Sequence, residues 1–216
     1  MDIARRNSDL AAKAQGKSEF LVNPEEYGLP TRQKGQGIVT LPFQSAPERV
    51  QLNDGRIVSI RPIIPADLNA LKAFFAALSP VTLRQRFHFS IREVPEHFLH
   101  QFTSIDGDSH VAFIAETCGT GEDPARSLVA DARYVRYTSY DSAEFALVVA
   151  DGWRSRGLGT ALVRTLVRYA RFAGLRHLSG DVLEDNKVML GFAYSLGARS
   201  MPGTAGVDPV RLCLKV

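Results

Sequence analysis

The run Phe145-Ala146-Leu147-Val148-Val149-Ala150 passes through Asp151-Gly152-Trp153-Arg154-Ser155-Arg156-Gly157 into Leu158-Gly159-Thr160-Ala161-Leu162, and no other stretch constrains the chain as strongly. An unbroken apolar run of that length reads as a buried strand. The apolar period that follows, Leu158, Leu162, Leu166 and Tyr169, reads as a helix with one face on a core, expected from about 157 to 173 and stopped by Gly174. A strand that turns through glycines into a helix presents a helix amino terminus, where the first N–H groups have no intrahelical partner and the positive end of the dipole lies. Anions bind at such ends. Gly157 and Gly159 remove the Cβ atoms that would hold a phosphate off the backbone, and Arg154 and Arg156 add guanidiniums able to chelate its oxygens.

Other phosphate loops fail on spacing or context. A dinucleotide-binding turn needs Gly or Ala at position 162, which holds Leu162, and no Lys-Ser or Lys-Thr pair follows the glycines. Ala11-x-x-x-x-Gly16-Lys17-Ser18 satisfies a relaxed nucleotide-loop pattern but has no buried strand before it and no apolar-faced helix after it, so nucleotide hydrolysis is set aside. With 45% hydrophobic residues in 216, the chain supports a core without metal or disulfide staples. Cys118 and Cys213 stand far apart in no C-x-x-C pair and are expected to be small buried hydrophobes. No apolar run approaches the roughly 20 residues of a membrane span, and the acidic amino terminus lacks an apolar signal core, so a cytoplasmic protein is expected. A net charge of +3 favours anionic partners but falls short of the basic stripe that duplex binding requires. No nucleic acid, membrane or metal partner is expected, and a monomer and a homodimer stay open.

Residues 1–47 are punctuated by glycine and proline without a sustained period and read as an arm, with a disordered or draped segment and a partner-binding arm both open. Residues 48–216 form the expected domain. It opens on a hairpin, with Val50-Gln51-Leu52 and Arg56 to Ile60 flanking Asn53-Asp54-Gly55. Pro65 starts a helix through Leu78, Ser79-Pro80 interrupts it before a segment holding Arg84, Arg86 and Phe87, and a short helix follows Pro95. Strands are expected at 110–116, 127–137 and 143–150, a strand at 177–183, a helix at 187–196 and a last strand at 210–216. The order gives a mixed α/β sheet, antiparallel in its first half and strand-helix-strand in its second.

The spacing Arg154-x-x-Gly157-x-Gly159 resembles the acyl-CoA signature of the GNAT N-acetyltransferase superfamily, and the element order from 48 to 216 is similar to that fold. Asp54-Gly55-Arg56, Ile60-Arg61-Pro62-Ile63, Asp67, Leu78-Ser79-Pro80, Arg84-x-Arg86-Phe87 and Ala143-Glu144-Phe145-Ala146 resemble the acetyltransferase domain of bacterial Pat-type protein-lysine acetyltransferases. The resemblance implies a mostly antiparallel central sheet, splayed between two strands and flanked by helices. It implies acetyl-CoA, or another short acyl-CoA, as co-substrate, lying between the strand ending near Val149 and the one ending near Leu183. Its pantetheine would pair with the backbone at Val148 and Val149, Arg154, Ser155, Arg156, Gly157, Leu158, Gly159 and Thr160 would hold its pyrophosphate, and Asn186 would contact the pantetheine arm. Asn186 is equally a good helix N-cap. Arg164, Arg168 and Arg171 form a solvated face or meet the 3′-phosphate or an acidic partner.

The acceptor implied is a primary amine, a protein lysine first and a small amine or amino acid as the alternative. A module that binds acyl-CoA without transferring the acyl group is the other alternative. A lysine amine titrates near 10.4 in water, so the reaction needs a base or a desolvating pocket. Glu144, the one acid in its apolar run, alternates to the face of Ala146 and Val148 and stands where the Pat-type pattern carries its base. A bulge where the two strands splay is expected to free the Val149 N–H as oxyanion donor. The family's acidic tyrosine falls in register on Ala193, with Tyr194 one step later and turned by about 100°. Arg84 and Arg86 either line the acceptor entrance or pin a loop through carboxylates. His97 and His100 share a helix face with no third metal ligand close in sequence.

Overall fold

The computed structural model describes residues 47–118, 126–137, 141–201 and 208–216. The expected arm, with Gly16-Lys17-Ser18, lies outside these apart from Pro47. The first two strands, β1 (Glu48–Gln51) and β2 (Ile57–Pro62), form the hairpin, with Val50 opposite Val58. Its turn closes through the Gly55 N–H donating to the Leu52 carbonyl (2.9 Å), and Gly55 takes φ 86°, a conformation open to glycine at no steric cost. A 3-10 turn (Pro65–Asp67) leads into α1 (Leu68–Ala76), then α2 (Pro80–Phe87) and α3 (Glu96–Thr103). Ser79 separates the first two helices by capping α2, its hydroxyl accepting from the Thr82 N–H at 3.2 Å with Pro80 in the first helical position.

Strands β3 (His110–Thr117), β4 (Leu128–Arg136) and β5 (Ser142–Val149) follow as an antiparallel meander. A 3-10 turn (Asp151–Trp153) leads into α4 (Leu158–Phe172), then β6 (His177–Val182), α5 (Lys187–Ser195), β7 (Arg199–Ser200) and β8 (Val210–Lys215). The sheet runs β1-β2-β3-β4-β5-β6-β8-β7, and among the described residues its only parallel neighbours are β5 and β6. Two of the sheet's departures from expectation have simple causes: β7 is too short to show a period, and Pro65 begins a 3-10 turn before the α-helix takes over.

Both faces of the sheet are covered. On one, Leu158, Leu162 and Leu166 of α4 pack on Val58, Ile60, Phe113, Ala130 and Ala132. On the other, Leu71, Phe75, Leu83 and Leu99 from α1 to α3 cover Ile63, Ile114 and Val148. Leu190 and Ala193 of α5 close a third cluster with Val182, Leu212 and Leu214. Cys118 and Cys213 are free thiols and only half-buried, which corrects the expectation of buried ones: Cys118 lies just past the end of β3, and Cys213 lies within β8 opposite Ser179 and Arg199.

The parallel pair is brief. Ser142, Ala143 and Glu144 lie opposite His177, Leu178 and Ser179, and beyond Glu144 the two strands part. Gly180 stands at the divergence, where a Cβ would come within 2.9 Å of the Phe145 carbonyl oxygen, so only glycine fits. This split positions everything that follows.

Candidate active site

Strand β5 has no bulge: its register with β4 runs unbroken from Ala143 to Val149, and the irregularity of the meander is at Ala115/Glu116 in β3 instead. The expected bulge is therefore absent, and the splay of β5 from β6 alone leaves the Val149 N–H without a strand partner. The Ala150 N–H donates to the Val129 carbonyl (2.9 Å), so alternation turns the even-numbered backbone groups of β5 toward β4 and the odd-numbered ones toward the split. Leu147 and Val149 thus face it with their backbones. Val148, expected to share that role, is laddered to β4 opposite Asp131, and its side chain is buried under the helices. Leu147 was not singled out from the sequence, although strand parity contained the signal.

The loop after β5 ends with two left-handed residues, Ser155 (φ 59°) and Gly157 (φ 88°), before α4 starts. Among the described residues no acceptor is bonded to the backbone N–H groups of Ser155, Arg156, Gly157, Leu158, Gly159 or Thr160. At Gly157, where φ is 88°, a Cβ would be strained and would stand 3.2 Å from the Asn53 side chain, whereas at Gly159 it would make only an ordinary contact with Phe192 at 3.4 Å. A diphosphate fits such a cradle. The two guanidiniums expected to chelate it are committed elsewhere. Arg154 donates to the Val149 carbonyl (3.2 Å) and the Thr82 hydroxyl (2.6 Å) and lies 3.3 Å from Asp151; Arg156 bonds the Gly152 carbonyl (3.1 Å) and Asp54. They brace the loop, Arg154 against α2 and Arg156 against the β1–β2 turn.

Glu144 sits where β5 and β6 part, on the face covered by α1 to α3. The Tyr137 hydroxyl donates to its Oε2 at 3.2 Å, and Arg211 Nη2 lies 3.7 Å from the same oxygen. Arg211, 2% exposed, also donates to Asp181 (2.9 Å), Ser179 (3.2 Å) and the Tyr137 oxygen. Burial raises the Glu144 pKa to about 7, Arg211 opposing the rise and Asp181 adding to it. Tyr137, raised by burial to about 12, stays a neutral donor. A carboxyl so poised exchanges protons at neutral pH. Tyr137, Ser179, Asp181 and Arg211 were missed in the sequence; Arg211 was detectable as a lone charge in the apolar strand Val-Arg-Leu-Cys-Leu, the pattern that marks Glu144.

Other expected residues separate. Asn186 caps α5, its Oδ1 accepting from the Met189 N–H at 3.1 Å. Arg84 pairs with Asp185 (2.7 Å) and ties α2 to the turn before α5, whereas Arg86 pairs with no carboxylate among the described residues. On the α4 face Arg168 pairs with Glu48. His97 lies against the Phe98 ring, 4.3 Å between centroids. Ala193 is buried, and Tyr194 points its hydroxyl at Ser200 (2.9 Å), on the β7 side of α5. Tyr194→Phe is therefore expected to keep kcat within about twofold of the parent in a thiol-release assay; a tenfold loss would give that hydroxyl a chemical role.

Residues 77–198 match the family described as Acetyltransferase (GNAT) family. The chain is 32% identical over 146 residues to Acetyltransferase PA5475 of Pseudomonas aeruginosa, covering 68% of this chain and 77% of that protein. It is 29% identical over 153 residues to Acetyltransferase Pat of Mycolicibacterium smegmatis, covering 70% of this chain but only 44% of the relative, so it spans less than half of that protein. Among solved structures it is similar to the GNAT domain of S. lividans PAT, with TM-score 0.70, 25% identity, and 79% of this chain and 97% of that one covered. The cAMP-binding acyltransferase from Mycobacterium smegmatis matches at TM-score 0.53 and 25% identity over 79% of this chain and 47% of that one. No helix among the described residues is long and apolar enough to cross a membrane.

Proposed function

Since the chain belongs to the GNAT family and is an N-acetyltransferase, we propose that it transfers an acetyl group from acetyl-CoA, or a close short acyl-CoA, to a primary amine, with a protein lysine as acceptor. The observation that carries the reading is Glu144, a half-buried carboxyl with a pKa raised to about 7 at the mouth of the β5–β6 split, beside a strand whose Leu147 and Val149 backbones face that split. The likeness to the S. lividans PAT domain and the Pat-type run Ala143-Glu144-Phe145-Ala146 support lysine as acceptor.

Acyl-CoA supplies a thioester, whose thiol leaves far more readily than an alcohol would. The N–H groups from Ser155 to Thr160 hold its diphosphate, and the Leu147 and Val149 backbones align its arm along β5. Glu144 takes the proton that the ammonium or the attacking nitrogen must lose, directly or through one water. The nitrogen bonds to the acetyl carbon, the carbon–sulfur bond breaks, and the sulfur leaves with the electron pair. The Val149 N–H donates to the carbonyl oxygen as charge gathers there. The carbonyl on the far side of that residue accepts from Arg154, which holds the following peptide, 149–150, and with it the exit of the strand. No tyrosine is required to protonate the sulfur.

An acceptor screen with a thiol-release readout tests the reading, comparing lysine-containing proteins, free amino acids and polyamines. Thiol release that depends on a lysine-bearing protein is expected. Saturable acyl-CoA binding with no release for any amine would instead identify a sensor module.

A further inference from the structure

The sheet face that carries Glu144 is rich in charge, and almost all of it is matched. Asp131 holds Arg133 (Nε to Oδ1, 2.9 Å), Asp181 holds Arg211, and Glu144 has Arg211 and Tyr137. Arg86, in the last turn of α2, is the exception among the described residues. No carboxylate lies within ion-pairing distance of it, and its Nε is buried without an acceptor. Its guanidinium carbon rests on the rings of Phe87 (5.1 Å) and Phe102 (5.7 Å), and the like-charged Arg133 lies over the same Phe102 ring at 4.2 Å.

That environment does not suit an idle cation. Burial and Arg133 both disfavour the charge, lowering the pKa to about 10, yet the group stays ionised at neutral pH and keeps its fork of donors. Glu144 and Asp131 are near enough to act on Arg86 electrostatically, but neither binds it. A planar oxyanion with two acceptor oxygens is the natural complement of such a fork. Arg84, two residues earlier, is satisfied by Asp185, so α2 is anchored without the help of Arg86.

We infer that Arg86 anchors the acceptor, binding a carboxylate carried next to the reacting amine while that amine reaches Glu144. The inference rests on the acetyltransferase reading above and narrows its acceptor class. Two sources supply the same chemistry, an acidic side chain flanking a lysine in a protein and the α-carboxylate of a free amino acid.

Acetylation rates are compared within two matched pairs: a peptide whose lysine is followed by Asp against the same peptide with Asn, and free lysine against its decarboxylated diamine. The chain as it stands is expected to favour the carboxylate-bearing member of one pair by about tenfold or more in kcat/KM. Arg86→Gln is expected to bring that ratio within about twofold. Because the ratio is taken within each protein, any loss of folded material cancels, and Arg86→Lys, which keeps the charge but not the fork, should fall between. Preference in the peptide pair assigns the anion to a flanking side chain; preference in the free pair assigns it to the α-carboxylate. Equal rates within both pairs, or a preference that survives Arg86→Gln, overturn the inference and leave the acetyltransferase reading standing. Transfer to none of the four amines overturns both.

Discussion

Glu144→Gln is expected to lower kcat/KM for amine acetylation by about 100-fold or more while leaving the dissociation constant for CoA within about twofold. Glutamine keeps the shape and the contact with Tyr137 but cannot take up a proton. The parent rate should climb as pH rises through about 7, where the Glu144 carboxyl ionises, and that limb should vanish in the variant. Stability guards the interpretation. The folded-state pKa lies above the ordinary 4.5, so this carboxyl opposes folding increasingly as pH rises from 4.5 to about 7 and by a constant amount above that. Removing it should leave the melting temperature at pH 8 equal or higher. A slow variant that is also less stable at pH 8, or a parent rate that is flat through pH 7, would dismiss Glu144 as the base.

Arg211→Met should act on stability and on that same titration. Arg211 is 2% exposed and donates to Asp181, Ser179 and Tyr137 beside Glu144. Methionine fills part of the volume but leaves Asp181 and Glu144 without their cation. Removing one member of a buried pair costs about 3–5 kcal/mol, and the partial exposure of Asp181 argues for the lower figure. At about 3 kcal/mol the melting temperature of a domain this size falls by about 6–12 °C. With the guanidinium gone, the Glu144 pKa should rise above about 7 and the ascending limb of the rate profile should move to higher pH. A melting temperature within about 2 °C of the parent, or a limb that does not move, would separate Arg211 from the base.

The residues differ in how far the sequence disclosed them. The strand into α4 and the β1–β2 hairpin were readable because their periods and turn glycines are local. Glu144 was readable for a similar reason, as a lone acid in an apolar run. What surrounds it was not, because Tyr137 just past β4, Asp181 of β6 and Arg211 of β8 are brought together only by sheet order. The splay of the two strands was expected from the resemblance, but the bulge added to it was not needed, because a free N–H on β5 arises simply from where β6 diverges. Arg154 and Arg156 were assigned by residue type to the phosphate. Their nearest partners, Thr82 and Asp54, lie 72 and 102 residues away in the chain and take those guanidiniums for bracing.

Peptide amides are expected to receive the ligand, and titrating 15N-labelled protein with CoA while following each backbone resonance tests this most directly. The largest shifts should fall on Ser155 through Thr160, with Leu147 and Val149 next, all saturating with one dissociation constant. Saturation with those amides unmoved, or no saturation at all, would contradict the account.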